Sequence, residues 1–397
     1  MKSQNRLLPF LIIVILFFLI NIYVLSGLHT LSSSPLVTPL FLALTLLVTA
    51  ALIHAIRSIQ KLGMGNFFKI ATHGFLILFT ADLVFAVALL PGDLFRLFTG
   101  GPRSLPWAEF AFGLFIATIL LFFYGMIRGK YAYRVIKHTL FFDDLPASFD
   151  GFTITQISDV HAGSFNNPKA VQKGIDMINA QRSDLFVFTG DMVNNKAEEI
   201  VPWLSYFSQV KAPYGQFSIL GNHDYGDYVK WENESKKSAN LQQLKNYHAE
   251  LGYKLLLDEH VKLYKNGAHI ILAGVENWGV GFGERGNLSK ALENTKNEDF
   301  KVLLSHDPTH WEAQVKSWSS KIQLTLSGHT HGMQFGLEAF GIKWSPVKYR
   351  YAHWAGIKTE NGRVLNINRG FGFLGFSGRI GIWPEITVIE LKKTAMA

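Results

Sequence analysis

Carboxylate, imidazole and amide side chains recur in the C-terminal two thirds of this sequence, each time directly after a short apolar run. The recurrences are Ser158-Asp159-Val160-His161, Gly190-Asp191, Gly221-Asn222-His223-Asp224, Ser305-His306 and Gly328-His329-Thr330-His331. Oxygen and nitrogen donors of these types suit Zn, Mn or Fe(II). Because the chain has no cysteine, thiolate metal sites, disulfides and cysteine nucleophiles are excluded. The residue types therefore indicate a metal site built from hard and borderline ligands.

Two of these pieces carry ligands two positions apart, in Asp159-x-His161 and His329-x-His331. In an extended chain, such residues point to the same side, so each pair can serve one ion or two adjacent ions. Asp191 has two carboxylate oxygens and can bridge two ions. The pattern is compatible with one ion or with two adjacent ions.

Each piece has a structural alternative when it stands alone. An Asp-x-His pair is more often a turn, and Gly221-Asn222-His223-Asp224 is compatible with a helix start capped by Asp224. Asn222 would add a neutral oxygen, which limits the negative charge of the site. Five such pieces in order, each after an apolar run, favour one shared site.

The apolar runs and an intervening helix form a pattern typical of α/β proteins. Phe152–Ser158 and Asp184–Thr189 are predicted strands, and Pro168–Gln181 is a predicted helix that begins with proline. Further strands are predicted at Gln216–Leu220, His269–Gly274, Lys301–Ser305, Ile322–Ser327, Val364–Asn368 and Ile386–Leu391, and a solvated helix within Lys230–Lys254. Since ligands gather at strand C-termini in α/β folds, this architecture would bring the polar pieces together.

The first third of the chain is nearly free of charge. It holds four apolar segments, Leu7–Leu28, Leu36–Ile56, Ile70–Leu90 and Phe110–Ile127. Each is close to the roughly 20 residues that a helix needs to cross a bilayer, and none has the polar face of a soluble helix. We therefore expect four transmembrane helices in residues 1–127, a connector in 128–148 with an extended segment near Tyr131–Leu140, and a soluble domain in 149–397.

Basic residues indicate the orientation of these spans. They cluster before the first span, between the second and third, and after the fourth, as Lys2 and Arg6, as Arg57, Lys61 and Lys69, and as Arg128, Lys130, Arg134 and Lys137. The positive-inside rule places the N-terminus and the soluble domain in the cytosol, although Arg96 and Arg103 lie on the disfavoured side. Asp82, inside the third span, is either a functional residue or pairs with a neighbouring helix.

The metal-binding pieces together resemble the signature of the calcineurin-like metallophosphoesterases. The resemblance runs from about Phe149 to Leu391. Within this family, the sequence is most similar to a bacterial membrane-linked branch with YkuE-like and YaeI-like members. Supporting residues are Gly274-Val275-Glu276-Asn277-Trp278-Gly279 and Asn368-Arg369-Gly370-Phe371-Gly372. One departure is Met333, which stands where the family commonly has glycine and would reshape the rim of the site.

This resemblance implies a central β-sandwich flanked by helices, with two divalent ions (Mn, Fe or Zn) at one edge. It assigns Asp159, His161 and His331 to one ion, Asn222, His306 and His329 to the other, and Asp191 to both. It also implies that His223 faces the substrate and that Asp224 orients it. For phosphate binding, Arg369 and Arg379 are candidates, with structural ion pairs as the alternative.

The expected reaction is hydrolysis of a phosphomonoester or phosphodiester by water activated between the cations, with His223 protonating the leaving oxygen. The expected location is a bacterial inner membrane, which favours a lipid or nucleotide-linked lipid substrate. Four C-terminal aromatic residues either line a rim for acyl chains or belong to the core: Phe371, Phe373, Phe376 and Trp383.

Three other functional classes compete with this one. A non-catalytic metal-binding sensor or scaffold is disfavoured because no ligand position is lost. A transporter with an accessory domain is disfavoured because polar residues in the spans are sparse. The formal net charge of +8 is compatible with nucleic-acid binding as a third function. No dense Lys/Arg run with interleaved aromatics supports it, so this function is also disfavoured. Oligomeric state is not indicated.

Overall fold

The computed structural model describes residues 7–62, 65–339 and 341–394, and the chain divides into two compact units, Met1–Gly125 and Met126–Ala397. Helices of the first unit are α1 (Leu7–Leu31), α2 (Val37–Leu62), α3 (Asn66–Thr99) and α4 (Leu105–Ile127). Over the described residues, three stretches are long and apolar enough to cross a membrane, Val37–Ser58, Asn66–Thr99 and Leu105–Tyr131, and a shorter apolar helix covers Ile15–Leu31.

The helices of the first unit expose large apolar side chains. Leu40, Leu47 and Ile70 are 65%, 68% and 72% exposed. A water-soluble bundle would bury such residues, whereas a bilayer covers them. The prediction of a transmembrane N-terminal region is confirmed. Helix α3 continues past its predicted end at Leu90, runs through Pro91 and ends at Thr99.

One ion pair involves Arg103, an arginine that the positive-inside rule left unexplained. Arg103 Nε lies 2.8 Å from Asp93 Oδ1, and the Tyr23 hydroxyl donates to Asp93 Oδ2 at 2.6 Å. The Asp93 carboxylate therefore offsets the charge of Arg103. Asp82 contrasts with this pair, because its Oδ1 is buried without a hydrogen-bond partner among the described residues.

The second unit is built on two six-stranded sheets. The strands are β1 (Arg134–Phe142), β2 (Phe152–Ile157), β3 (Leu185–Thr189), β4 (Gln216–Ile219), β5 (Tyr253–Leu255), β6 (Glu259–Lys265), β7 (Ala268–Gly274), β8 (Trp278–Gly279), β9 (Gly283–Glu284), β10 (Lys301–Leu304), β11 (Leu324–Ser327), β12 (Leu337–Ala339), β13 (Ile342–Trp344), β14 (Gly356–Glu360), β15 (Arg363–Ile367) and β16 (Glu385–Lys393). The helices are α5 (Pro168–Asn179), α6 (Leu204–Phe207), α7 (Glu234–Glu250), α8 (Leu288–Ala291) and α9 (Thr309–Ala313).

The sheets have the strand orders β1-β16-β2-β3-β4-β5 and β14-β15-β11-β10-β7-β6. Strands β2 to β5 are parallel, as are β7, β10, β11 and β15. The facing sides of the sheets bury a common apolar core that includes Ile154, Val187, Leu272, Val302 and Leu324. The predicted β-sandwich is confirmed.

Helices cover the outer faces of both sheets. Ile175 of α5 packs with Phe186 of β3 in one buried cluster, and Trp311 of α9 packs with Leu303 of β10 in another. Helix α5 begins as predicted, with Pro168 in its first turn and the Asn167 side chain accepting from Ala170 N. These layers fix the strand ends that carry the polar residues.

Strand β1 lies inside the segment predicted as a connector. It pairs in parallel with β16 over Arg134 to Phe142, at one edge of the first sheet. Strands β5, β6 and β14 were not predicted. Their sequences are half exposed and carry charges, as in Glu259–Lys265, so they lack the apolar run that marks a buried strand.

Candidate metal centre

The predicted ligands follow five strand ends, at the C-termini of β2, β3, β4, β10 and β11. Their backbone differs from the extended geometry that the spacing suggests. Asp159 and His161 have φ of 52° and 47°, and His329 and His331 have φ of 71° and 50°. Left-handed backbone at non-glycine residues is uncommon and concentrates at functional sites. The side chains converge through these tight turns rather than by alternation along a strand.

Asp159, His161 and His331 form the first cluster. One ligand atom from each lies within 4.8 Å of the others. His161 Nε2 is 3.0 Å from His331 Nε2, and His331 Nε2 is 3.2 Å from Asp159 Oδ1. All three side chains are buried. Gly328 leaves room for this cluster, because a Cβ there would collide with the Asp159 carboxylate.

Asp191, His306 and His329 form the second cluster, again with ligand atoms within 4.8 Å of one another. His329 Nδ1 is 3.3 Å from His306 Nε2 and 2.9 Å from Asn222 Oδ1. Asn222 thus joins the same group through its amide oxygen. The structure brings all of the predicted ligands into two adjacent clusters.

Asp191 lies between the clusters. Its Oδ2 is 3.5 Å from His161 Nε2 of the first cluster and 3.2 Å from His306 Nε2 of the second. Gly221 packs directly against the Asp191 carboxylate, where a Cβ would not fit. One oxygen that faces imidazoles of both clusters has the position expected of a bridging ligand.

The pKa values of the buried carboxyl and imidazole groups show how strongly these groups interact. Burial alone favours a neutral His306 ring, but the Asp191 carboxylate outweighs it and raises the pKa of His306 to about 10. Burial likewise opposes ionisation of Asp159, yet His331 holds the pKa of this carboxyl below its usual range. In His329, by contrast, burial lowers the pKa to about 4. Buried carboxylates beside imidazole nitrogens form the donor set of a divalent cation, which would take the place of the proton on His306, so the residues fit the predicted metals.

Comparisons with known proteins agree with this geometry. The family model for calcineurin-like phosphoesterases matches residues 152–333, and that for the transmembrane domain of probable calcineurin-like phosphoesterases matches residues 5–130. The uncharacterized metallophosphoesterase YkuE of Bacillus subtilis is 31% identical over 68% of this chain and 90% of that protein. The chain belongs to the calcineurin-like metallophosphoesterase family.

Two further similarities are more distant. A transmembrane protein with metallophosphoesterase domain from Danio rerio is 27% identical over 70% of this chain, which covers 62% of that protein. The crystal structure of phosphopantetheinyl hydrolase from Mycobacterium tuberculosis aligns with 55% of this chain and 89% of its own at 12% identity and a TM-score of 0.34. A similarity of that size supports no inference about this metallophosphoesterase.

His223 stands beside the metallophosphoesterase clusters. Its ring centroid is 5.0 Å from that of His161, and its backbone N–H donates to Asp191 Oδ1 at 2.9 Å. Its Nδ1 lies 2.8 Å from the carbonyl oxygen of Asn194. Because a carbonyl only accepts, Nδ1 carries the hydrogen and Nε2 is left for other partners.

The predicted orienting contact between Asp224 and His223 is corrected by the structure. The Asp224 carboxylate accepts from the backbone N–H groups of Gly221, Asp191, Met192 and Val193 at 2.8–3.2 Å. Within the described residues, the His223 ring is held by the Asn194 carbonyl instead. Asp224 therefore fixes the turn that presents Asp191, since its buried oxygens are taken by that turn.

Asp307 is a functional candidate that the sequence reasoning missed. It is fully buried, and its Oδ2 lies 3.3 Å from His329 Nε2, on the opposite side of the ring from Asn222. The two atoms do not form a hydrogen bond among the described residues, but the negative charge beside Nε2 favours a hydrogen on that nitrogen and leaves Nδ1 of His329 as the candidate ligand atom. The place of Asp307 directly after His306 at a strand end is the signal that could have found it.

Of the two arginines proposed for phosphate binding, Arg369 is paired with carboxylates and Arg379 is fully buried, with its Nη1 lacking a hydrogen-bond partner among the described residues. Arg369 Nη2 is 2.7 Å from Glu338 Oε1, and its Nη1 is 2.5 Å from Glu385 Oε2. Arg379 is fully buried and donates to backbone carbonyls such as that of Gly372. Arg369 therefore forms structural ion pairs, which was the alternative to phosphate binding. Arg379 stabilises the backbone next to His331.

The C-terminal aromatic residues divide between core and partly exposed positions. Phe371 and Phe373 are 0% and 1% exposed and belong to the helix-facing core of the first sheet. Phe376 and Trp383 are partly exposed. Phe371 and Phe373 are therefore core residues, as the alternative prediction stated. They cannot line a rim for acyl chains. Met333, 57% exposed with φ of 48°, lies at the surface beside the ligand His331.

Proposed function

We propose that this protein is a membrane-anchored phosphoester hydrolase that works with two divalent cations. The first cation would be held by Asp159, His161 and His331, the second by Asn222, His306 and His329, and Asp191 would contact both. The observation that carries this proposal is the position of Asp191 Oδ2 between imidazole nitrogens of both clusters. Mn, Fe and Zn all suit these donors.

Two bound cations would supply charge that lowers the pKa of a water molecule and offsets the phosphoryl oxygens. The chain's own groups set the remaining geometry. The Asn194 carbonyl fixes the His223 ring, so that its Nε2 can deliver a proton to the leaving oxygen. Asp224 holds the Asp191 turn, and the Asp307 carboxylate places its charge 3.3 Å from His329 Nε2, so the candidate ligands would be positioned before substrate binds.

The proposed location follows from the first unit. Residues 1–127 would anchor the enzyme in a bacterial inner membrane, and residues 149–397 would form the catalytic domain on the cytosolic side. Pairing of Arg103 with Asp93 supports this orientation, because it offsets one of the arginines on the outer side. The substrate would be a phosphomonoester or phosphodiester reached from the membrane surface, such as a nucleotide-linked lipid.

The test is Asp191→Asn in the full-length protein, assayed with bis(p-nitrophenyl) phosphate. Loss of the shared ligand should lower kcat/KM by about 10³-fold or more, equivalent to about 4 kcal/mol of transition-state stabilisation. Metal content, measured on the same sample, should also fall. Asp143→Asn, a change of the same type at an exposed position, is the control and should leave both values unchanged. Full turnover by Asp191→Asn would refute the bridging role.

A further inference from the structure

Two aromatic rings stand beside the metal centre on separate loops. Tyr228 lies on the loop after β4, with its ring centroid 4.4 Å from that of His223. Its hydroxyl accepts from Asn222 Nδ2 at 2.8 Å, which ties the ring to a candidate ligand. The side chain nevertheless remains 47% exposed. Tyr228 thus presents an aromatic surface next to the proposed proton donor.

Phe282 provides the second ring from the turn between β8 and β9. Its centroid is 4.5 Å from that of His329, in an edge-to-face arrangement. The Asn277 side chain fixes the turn by donating to the Phe282 carbonyl at 2.7 Å. Gly279 lets the turn approach the site, because a Cβ there would collide with the Asp307 carboxylate. The ring position is therefore built into the fold.

Both rings border one cavity of about 480 Å³. Its lining residues are Asp227, Tyr228, Gly281, Phe282, Gly283, Glu284 and Arg285. The cavity is a shallow groove that opens widely to solvent. Tyr228 connects this cavity to the candidate site, because its ring centroid lies 4.4 Å from that of His223.

The lining favours one class of leaving group. Alongside the rings it carries the charged side chains of Asp227, Glu284 and Arg285. Arg285 is held by Asp227 at 2.8 Å and stacks on the ring of Tyr225 at 4.1 Å. An acyl chain would remove these charged groups from water without replacing their hydrogen bonds. A planar base offers both a π face for the aromatic rings and polar edges for the charged groups.

We propose that the cavity between Tyr228 and Phe282 binds the base of a nucleoside in the leaving group, so that the substrate is a nucleotide-type phosphoester. This inference rests on the proposed function for the position of the reacting phosphate. It deepens that function by naming the group that lies beyond the scissile bond.

The experiment compares two ligands that share a phosphate and a ribose. Binding of AMP and ribose 5-phosphate to the Mn²⁺-loaded full-length protein in detergent is measured by calorimetry. AMP should bind about 10-fold or more tightly, as expected for stacking of one base. In Phe282→Leu and Tyr228→Leu the two affinities should converge. Phe282→Tyr, which keeps a ring, should retain the preference and shows that the loop still folds.

Tyr264→Leu serves as the matched control, since Tyr264 is an exposed ring on β6 outside the site. It should leave the AMP preference unchanged. Equal affinities for AMP and ribose 5-phosphate in the unmodified protein would overturn the inference, as would a preference that survives both leucine variants. Turnover of bis(p-nitrophenyl) phosphate is measured separately, so failure of the hydrolase proposal and failure of base binding are told apart.

Discussion

The metal centre and the four-helix unit both bury ionisable side chains, but they surround them in opposite ways. In the metal centre, the carboxylates of the candidate ligands face imidazole groups, as Asp191 faces His161 and His306. In the four-helix unit, the buried Asp82 has an oxygen without a hydrogen-bond partner among the described residues. The contrast shows that burial alone does not mark a site. Convergence of complementary groups does.

The reason for the difference lies in the two architectures. Parallel strands end at one edge, so turns after β2, β3 and β11 deliver polar side chains to a common point. A transmembrane helix packs against adjacent helices mainly through apolar side chains. A polar side chain within it therefore finds few polar partners at the same depth in the membrane. A buried acid in the helices is therefore isolated unless a second charge is supplied, as Arg103 is for Asp93.

The largest effect expected from this contrast is that of metal removal. Chelation should abolish turnover of bis(p-nitrophenyl) phosphate and lower the melting temperature. Without the cations, the negative charge of the clustered carboxylates is no longer offset. Metal at about 1,000 times its Kd should restore about 4 kcal/mol of stability. Thermal unfolding at several metal concentrations measures this. A melting temperature that is independent of added metal would contradict a convergent metal site.

A smaller effect is expected from Asp307→Asn. The neutral amide of this variant would no longer place a negative charge 3.3 Å from His329 Nε2, and metal affinity should fall about 10- to 100-fold. The measurement is metal titration of the apo protein. Asp299→Asn is a matched control, because Asp299 Oδ1 forms a similar contact of 3.2 Å with His269 away from the site. Equal effects of both variants would show that Asp307 acts only structurally.

His248 tests what burial does to a histidine without a carboxylate. Burial lowers its pKa to about 3, whereas the pKa of His306 beside Asp191 is raised to about 10. Below the ordinary value near 6.5, the unfolded chain binds a proton that folded His248 does not. Stability is therefore lost as pH falls through this window, at about 1.4 kcal/mol per pH unit.

In His248→Gln, this loss between pH 6.5 and 5 should be smaller by about 2 kcal/mol than in the unmodified protein. Thermal or denaturant unfolding at both pH values gives the difference, and the metal-centre histidines cancel because both proteins contain them. An unchanged acid dependence would mean that His248 is protonated in the fold.

Much of this molecule could be predicted from sequence because its signals are local. The transmembrane region follows from apolar length, and the sandwich follows from apolar runs that end in polar residues, as at Phe152–Ile157. The candidate ligands were recognisable by type and order. The distances that group them were not, because they depend on left-handed turns at Asp159 and His329.

Features that depend on long-range packing escaped prediction. An extended segment was expected near Tyr131–Leu140, but its pairing with β16 as part of a sheet was not. The role of Asp224 was misassigned, since its four backbone donors come from two separate turns. Tyr228 and Phe282 carry no motif, and only the fold places their rings beside His223 and His329.

The smallest effect is expected from Asp82→Asn. If Asp82 is an isolated buried acid, the variant should change turnover less than about twofold and unfolding free energy by no more than about 1 kcal/mol, because Asn keeps the shape and polarity of the side chain. Asp93→Asn in the same helix is the contrast and should destabilise more, since it breaks the pair with Arg103. Loss of turnover in Asp82→Asn with an unchanged melting temperature would assign the four-helix unit a part in function, and the contrast between the two regions would fail.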